Sequence, residues 1–156
     1  MGRSGFNVAE QGHIVTMIAP ISISAAATSE VISMENWAHC TIICNEGAGS
    51  SATLTIRECD NFTPSNSSLI GFRYYQEGTA AGDTLSAMAA AGTGGVGAMT
   101  ASGVITVAEI DAAELSDGYG YLQCNLSDPG TSKVCSIIAI LSGGRYTEDI
   151  TATVIV

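Results

Sequence analysis

Short apolar or alternating runs, separated by turn-forming residues, recur along this sequence and restrict the folds open to it. The clearest alternation lies in residues 52–59, where Ala52, Leu54 and Ile56 would face a core and the residues that follow each of them are polar. The pattern predicts about nine strands with no amphipathic helix between them. They are residues 13–18 (with 21–24 continuing beyond Pro20), 31–34, 37–44, 52–59, 69–75, 104–110, 119–126, 133–141 and 150–156.

Composition agrees with an all-β fold. The chain is rich in Thr, Ser and Gly, with 18 glycines in 156 residues, and poor in the residues that usually cover helix surfaces. We therefore expect a single-domain antiparallel β-sandwich over residues 13–156, with a jelly roll as one form it could take. Residues 1–12 are expected to form an extended N-terminal arm.

Several segments between the predicted strands read as turns or loops. Residues 45–51 (NEGAGSS) are expected to be a hairpin connection, and residues 60–68 (DNFTPSNSS) a polar loop turned by Pro64. Residues 76–102 form a long loop, in which the Ala-rich stretch 85–91 could form two helical turns. The GxGxxG match at residues 92–97 has no strand before it and no helix after it, so we interpret it as a flexible loop.

The predicted strand 37–44 presents two different faces. Ala38, Cys40, Ile42 and Cys44 would point one way, and this wholly small and apolar face is expected to face the core. The opposite face is expected to carry Trp37, His39, Thr41 and Ile43.

Charge excludes some function classes. Fifteen acidic residues against five basic ones give a formal charge of −10, which leaves few Lys and Arg to neutralise nucleic-acid phosphates. No apolar run is long enough to span a membrane. The N-terminal residues lack the apolar centre of a signal peptide, which predicts synthesis in a cytoplasm.

No catalytic, cofactor or metal site is predicted. The five cysteines form no CxxC pair, and Cys40 and Cys44 on one strand would lie about 13 Å apart, so buried free thiols are expected. Zinc binding by His39 with these two cysteines is disfavoured, because His39 and Cys40 project to opposite faces of a strand. The acidic residues between positions 109 and 117 are expected to be a solvated strand end and turn.

Aromatic residues in polar loops are the best candidates for contacts with other molecules. Such a residue either closes the end of its own sandwich or anchors a neighbour, and the sequence leaves both alternatives open. The predicted capsid or subunit contacts are Phe6, Asn7, Phe62, Pro64 and Tyr146.

A family resemblance covers most of the chain, roughly residues 12–156. The stretches WAHCTIIC (37–44), CDNFTPSN (59–66), AGDTL (81–85), EIDAAELSDGYGYLQCNLSD (109–128) and SGGRYT (142–147) resemble small tailed-phage proteins encoded beside the major capsid protein. Those proteins look like capsid decoration, or cement, proteins. The resemblance implies a partner in the major capsid protein, self-association into a homotrimer or another symmetric oligomer, and a place on the outer capsid surface after synthesis in the host cytoplasm.

The sequence leaves three function classes open. The leading expectation is a non-enzymatic decoration protein that stabilises a phage head. The alternative is a receptor- or carbohydrate-binding module of a tail or head fibre. A hydrolase or isomerase is the third class, which a pocket containing His39 with a carboxylate within hydrogen-bonding distance would favour.

Overall fold

Ten β-strands and one helical turn make up the described part of the chain. The computed structural model describes residues 5–79, 82–96, 103–145 and 154–155. The elements are α1 (Val8–Gln11), β1 (Gly12–Ile23), β2 (Ala27–Ser33), β3 (Trp37–Gly49), β4 (Leu54–Cys59), β5 (Ser67–Ile70), β6 (Phe72–Gln76), β7 (Ala89–Ala91), β8 (Val104–Asp111), β9 (Tyr121–Leu126) and β10 (Lys133–Gly144), with a 3-10 turn at Ala112–Glu114.

The strands form two antiparallel sheets that pack as a sandwich, which confirms the predicted fold class. One sheet has the order β1-β10-β3-β8-β6-β7 and the other the order β2-β9-β4-β5. Without β6 and β7, the remaining eight strands follow the order of a jelly roll. The six-stranded sheet is therefore a four-stranded jelly-roll sheet extended by two shorter strands beside β8.

The core lies between the sheets and is built by alternation along the strands. The sequence 104–110 of β8 alternates strictly between buried and half-buried residues, and 121–126 of β9 does the same. Ile42, Ile56 and Ile137 are fully buried, on β3, β4 and β10 respectively. Ala52, Leu54 and Ile56 face the interior as the sequence predicts.

One charged pair lies inside this core. Lys133 Nζ is 2.7 Å from Glu46 Oε2, and both side chains are shielded from solvent. Burial raises the pKa of Glu46, while the neighbouring Lys133 opposes that shift. The pair joins β10 to β3 where their pairing contains an irregularity between Lys133 and Cys135.

The predicted hairpin at residues 45–51 is wrong. β3 continues to Gly49, because Asn45 and Glu46 pair with β10 on one side and with β8 on the other. Gly49, one of the glycines that suggested a turn, is held in the sheet by its pairing with Lys133 of β10. The true connection to β4 covers residues 50–53.

The predicted strand 69–75 is two strands that lie in different sheets. β5 pairs with β4, and β6 pairs with β8, so the chain passes from one sheet to the other at Gly71. A Cβ atom at Gly71 would lie 2.9 Å from the carbonyl oxygen of Ala91, so this passage favours glycine. The predicted helical turns at 85–91 are also wrong, because Ala89–Ala91 pairs with β6 as β7.

Trp37 does not follow the predicted outward orientation. It is buried, and its ring centroid lies 5.9 Å from that of His13. Trp37 is the first residue of β3 and follows a turn in which its N–H donates to the carbonyl oxygen of Met34. Its side chain is therefore placed by the turn as much as by strand alternation.

The predicted strand 150–156 lies outside the described residues except for Val154 and Ile155. The carbonyl oxygen of Val154 accepts a hydrogen bond of 3.0 Å from the N–H of Ser33 on β2. Among the described residues, no helix has the length and apolar character that a membrane crossing requires.

Candidate functional site

The outer face of the six-stranded sheet carries two kinds of residue in adjacent rows. Strand register gives one row of Thr16, Ile138, Ile43, Val107 and Tyr75, one residue from each of β1, β10, β3, β8 and β6. The next row contains Ile14, Ile140, Thr41, Glu109 and Arg73. The surface that we call the aliphatic face consists of the aliphatic residues of these rows and two further residues. They are Ile14, Ile138, Ile140, Ile43 and Val107, with Val134 and Ile105.

Several side chains of the aliphatic face are open to solvent. Ile14 is 52% exposed, Val134 46% and Ile138 37%. Ile43, Ile140 and Val107 are half-buried beside them. An antiparallel sheet usually turns polar residues toward solvent, so this face is apolar where a polar one is expected.

The other sheet follows the usual rule. Its outer face contains Thr55 and Asn125, which are paired across β4 and β9, and the next pair is Arg57 and Gln123. Leu69, on the edge strand β5, is an isolated exposed apolar residue opposite Arg57. Among the described strand residues, exposed apolar side chains therefore cluster on the outer face of the six-stranded sheet.

A hydrogen-bonded cluster of charges lies at one end of the aliphatic face, and we call it the His39 cluster. His39 on β3 contacts two carboxylates of β8, with Nε2 2.7 Å from Glu109 Oε2 and Nδ1 2.7 Å from Asp111 Oδ1. Thr41 donates its hydroxyl to Glu109 Oε2 at 2.7 Å, and Arg73 Nη2 donates to Asp111 Oδ2 at 2.6 Å. The cluster thus joins β3, β8 and β6 side by side.

The two carboxylates determine the protonation of His39. Each ring nitrogen faces a carboxylate oxygen, and a protonated ring satisfies both contacts because it donates from both nitrogens. Partial burial alone would lower the pKa of His39, but hydrogen bonds to Asp111 and Glu109 outweigh it and the pKa is raised. The pKa of Asp111 is lowered, first by its hydrogen bond to His39 and then by that to Arg73.

This geometry differs from the one expected for the acidic residues after position 108. They were expected to be solvated, but Glu109 and Asp111 are half-buried and paired. Glu114 Oε2 accepts from the N–H of Asp111 at 2.9 Å and closes a capping box at the 3-10 turn. Asp117 is exposed, as the sequence predicted.

His39 has carboxylates within hydrogen-bonding distance, which is one of two features that would favour an enzyme. The other feature is a pocket that contains His39. Both ring nitrogens are occupied, however, so neither is free to accept a proton from a substrate. The Thr41 hydroxyl donates to Glu109 rather than to His39, which is not the order of a nucleophile, base and acid. The described arrangement joins strands and neutralises charges.

The cysteines are confirmed as free and buried. Burial raises the pKa of the Cys40 and Cys124 thiols, which keeps them protonated and poorly nucleophilic. Within the described ranges, no three His, Cys, Asp or Glu side chains are arranged to hold a metal ion.

Phe62 and Pro64 lie in a loop that is organised by Asp60. The Asp60 carboxylate accepts hydrogen bonds from the Ser65 hydroxyl at 2.6 Å and from the backbone N–H groups of Ser65 and Asn66 at 3.1 Å. The Ser65 hydroxyl contributes most to lowering the pKa of Asp60 to about 2. Phe62 packs edge-on against Tyr121 of β9 with ring centroids 4.8 Å apart, whereas Pro64 is exposed.

Phe6 and Asn7 precede α1 and have a different environment. Phe6 is 78% exposed, and Asn7 is also exposed. The Asn7 carbonyl oxygen accepts from the N–H groups of Glu10 and Gln11, so the chain makes one helical turn before β1 begins. The fifth predicted contact, Tyr146, lies outside the described residues.

Sequence reasoning missed the aliphatic face and the His39 cluster. A signal for the face was present, because residues 137–141 (IIAIL) are apolar at successive positions and so place apolar groups on both sides of a strand. The cluster depends on which strands are neighbours, and alternation within one strand carries no information about that.

No protein-family model and no curated protein matches the chain. Among solved structures, it is similar to the SPBc2 prophage-derived protein YomS, with a TM-score of 0.48 and 10% sequence identity. The likeness covers 83% of this chain and 92% of that one.

Proposed function

We propose that this chain is a non-enzymatic virion protein that binds the outer surface of a tailed-phage head and stabilises it. The sequence resemblance to phage decoration proteins leads to this proposal, and the jelly-roll sandwich is compatible with it. Jelly rolls occur in viral capsid and lectin domains, but a fold does not by itself define a function.

The single observation that carries the capsid-binding role is Phe6. A side chain that is 78% exposed in a segment leading into β1 offers a large apolar group to a partner. Aromatic residues of this kind commonly dominate binding energy once they enter a pocket on a partner. We propose that the arm before β1 is the capsid contact, and that the major capsid protein supplies the pocket.

The acidic balance is compatible with this role. A net charge of −10 favours solubility as a monomer or small oligomer before attachment and disfavours binding to the packaged nucleic acid. A homotrimer or another symmetric oligomer is the assembly we expect on the capsid.

The proposal is tested first on particles. Virions purified from the phage that encodes this chain should contain it in a copy number comparable to that of the major capsid protein. Cryo-electron microscopy should show its density on the outer shell. Absence of the chain from purified particles would refute the proposed function.

Phe6→Ala tests the contact itself. Binding of the purified variant to heads stripped of this protein should weaken by about 30-fold, because a buried aromatic anchor is lost. Met88→Ala is the matched control, since Met88 is also an exposed apolar residue but lies before β7. Equal binding by the Phe6 variant and the wild type would remove the arm from the interface.

The alternative is a receptor- or carbohydrate-binding module of a fibre. One observation favours it: a cavity of about 340 Å³ is lined by residues of the 78–86 loop, among them Thr79, Asp83, Thr84 and Ser86. Hydroxyl and carboxylate groups suit sugar hydroxyls, but none of the described residues that line this cavity is aromatic. A low copy number per particle, together with binding on a glycan array, would favour this alternative over decoration.

A further inference from the structure

We infer that the aliphatic face is a self-association surface that packs against a second copy of this chain. The inference goes beyond capsid binding, because it concerns a different surface from Phe6 and would hold for a free chain in solution.

Exposed apolar side chains lie together on this face. Ile14, Ile138 and Val134 are exposed, and Ile43 and Val107 continue the same surface across the sheet. The whole outer face, with the His39 cluster included, covers five strands, four of them at least eight residues long and β6 five residues long, so at a strand spacing of about 4.8 Å it spans roughly 600 Å² in projection. Interfaces of standard size bury about 800 Å² per partner, so this face is large enough to supply most of one.

The net charge of this face is small compared with that of the whole chain. By strand register, the described charged residues on this face include His39, Glu109, Asp111 and Arg73, which pair with one another and sum to zero when His39 is protonated. Glu114 beside Arg73 and Glu77 beside Ile105 each add one negative charge. On a chain with a net charge of −10, this is a surface where two copies can meet without strong repulsion.

The edge strand β1 is poorly suited to pairing with a strand of another chain. β1 is an edge strand, and its pairing with β10 is irregular between Thr16 and Ile18 and again between Ile18 and Ile21. Pro20 lies in the second irregular segment and has no N–H to donate. These features disfavour addition of a strand to this edge, so a partner is expected to pack on the face.

A partner must match a mainly apolar surface with little net charge, and the chain itself presents such a surface. Packing one aliphatic face on another would bury Ile14 and Ile138 in both copies. The contact requires no ligand and no rearrangement of the strands described.

Sedimentation velocity of the full chain tests the inference. The wild type should show a mass of two or more chains that dissociates on dilution over about two decades of concentration. Ile138→Glu should raise the dissociation constant about 30-fold or more, because it buries a charge at the centre of the contact. Ile14→Glu provides a second disruption on β1.

Leu69→Glu is the matched control. Leu69 is 40% exposed, close to the 37% of Ile138, but it lies on the outer face of the other sheet. This variant should associate like the wild type, and circular dichroism should confirm that all three variants are folded.

Three results would overturn the inference: a monomeric wild type at the highest concentration, wild-type association by both face variants, or equal loss of association in the Leu69 control. A monomeric wild type that still binds phage heads would overturn self-association while leaving the proposed function intact. A chain that self-associates but is absent from virions would refute the proposed function while leaving self-association intact.

Discussion

His39 shows how the surroundings of one residue decide its chemistry. It is one of two histidines in the chain, and alone it could be a base, a metal ligand or a surface residue. Two carboxylates at 2.7 Å occupy both ring nitrogens and favour the protonated form, which raises its pKa. The residue therefore contributes to stability in a way that depends on pH.

The stability of the chain should fall as the pH rises above the ordinary pKa of histidine. Because the folded-state pKa of His39 lies above 6.5, its contribution is complete below pH 6.5 and is lost as the pH rises through the raised value. We expect a loss of about 0.5–1 kcal/mol, measured by urea unfolding across this range.

Two variants separate this titration from a general loss of stability. His39→Gln should remove the pH dependence in this range, because glutamine does not titrate. Thr41→Val should lower stability but keep the pH dependence, because it removes only a hydroxyl that donates to Glu109. An unchanged pH profile in the glutamine variant would show that another group titrates.

The buried pair of Glu46 and Lys133 is a second residue-scale feature with a measurable consequence. Lys133→Met should lower the free energy of unfolding by about 3–5 kcal/mol, because it leaves the Glu46 carboxyl buried without its partner. Adding Glu46→Leu should recover much of this loss, because an apolar pair no longer requires solvation of a charge. Urea unfolding of both single variants and the double variant measures the coupling, and simple additivity would contradict it.

Among the elements, the glycine-rich loop before residue 97 has a structural explanation. Gly95 has a φ angle of +79°, and a Cβ atom there would collide with the carbonyl oxygen of Leu54. The N–H of Val96 donates to the same carbonyl oxygen at 2.9 Å. The loop is therefore attached to β4, and its glycine allows the close approach.

Gly95→Ala should lower the free energy of unfolding by about 1–3 kcal/mol, because alanine is strained at this backbone conformation and lacks space. Gly94→Ala is the matched control in the same loop, since a Cβ atom there meets no other atom within 4 Å. Thermal unfolding of the two variants provides the comparison. Equal stability would show that the contact with β4 is dispensable.

At the scale of the whole molecule, the sequence was informative about strands and less so about how they are arranged. Alternation in residues 52–59 identified a buried face correctly, because alternate side chains of one strand point to opposite faces of the sheet. The passage between sheets at Gly71 and the continuation of β3 through Gly49 depend on hydrogen bonds to distant strands. Local residue preferences do not contain that information.

The candidate sites also differ in whether the sequence alone could predict them. Phe6 was selected from its type and its polar surroundings, and in the structure it is exposed. Phe62 was selected by the same reasoning, yet it packs on Tyr121 of its own chain. The His39 cluster and the aliphatic face are formed by residues from three or more strands, so they become visible only once the strand order is known.

The position of β10 has a consequence for how the chain acquires its structure. β10 lies between β1 and β3, and within the described ranges β1 pairs with no other strand of its sheet. A nascent chain on the ribosome therefore holds β1 unpaired until residues 133–144 have been synthesised. Closing contacts so distant in sequence is slow, so we expect folding to follow translation and to proceed at the sluggish rates of high-contact-order β proteins. In that interval its unpaired strands are open to aggregation.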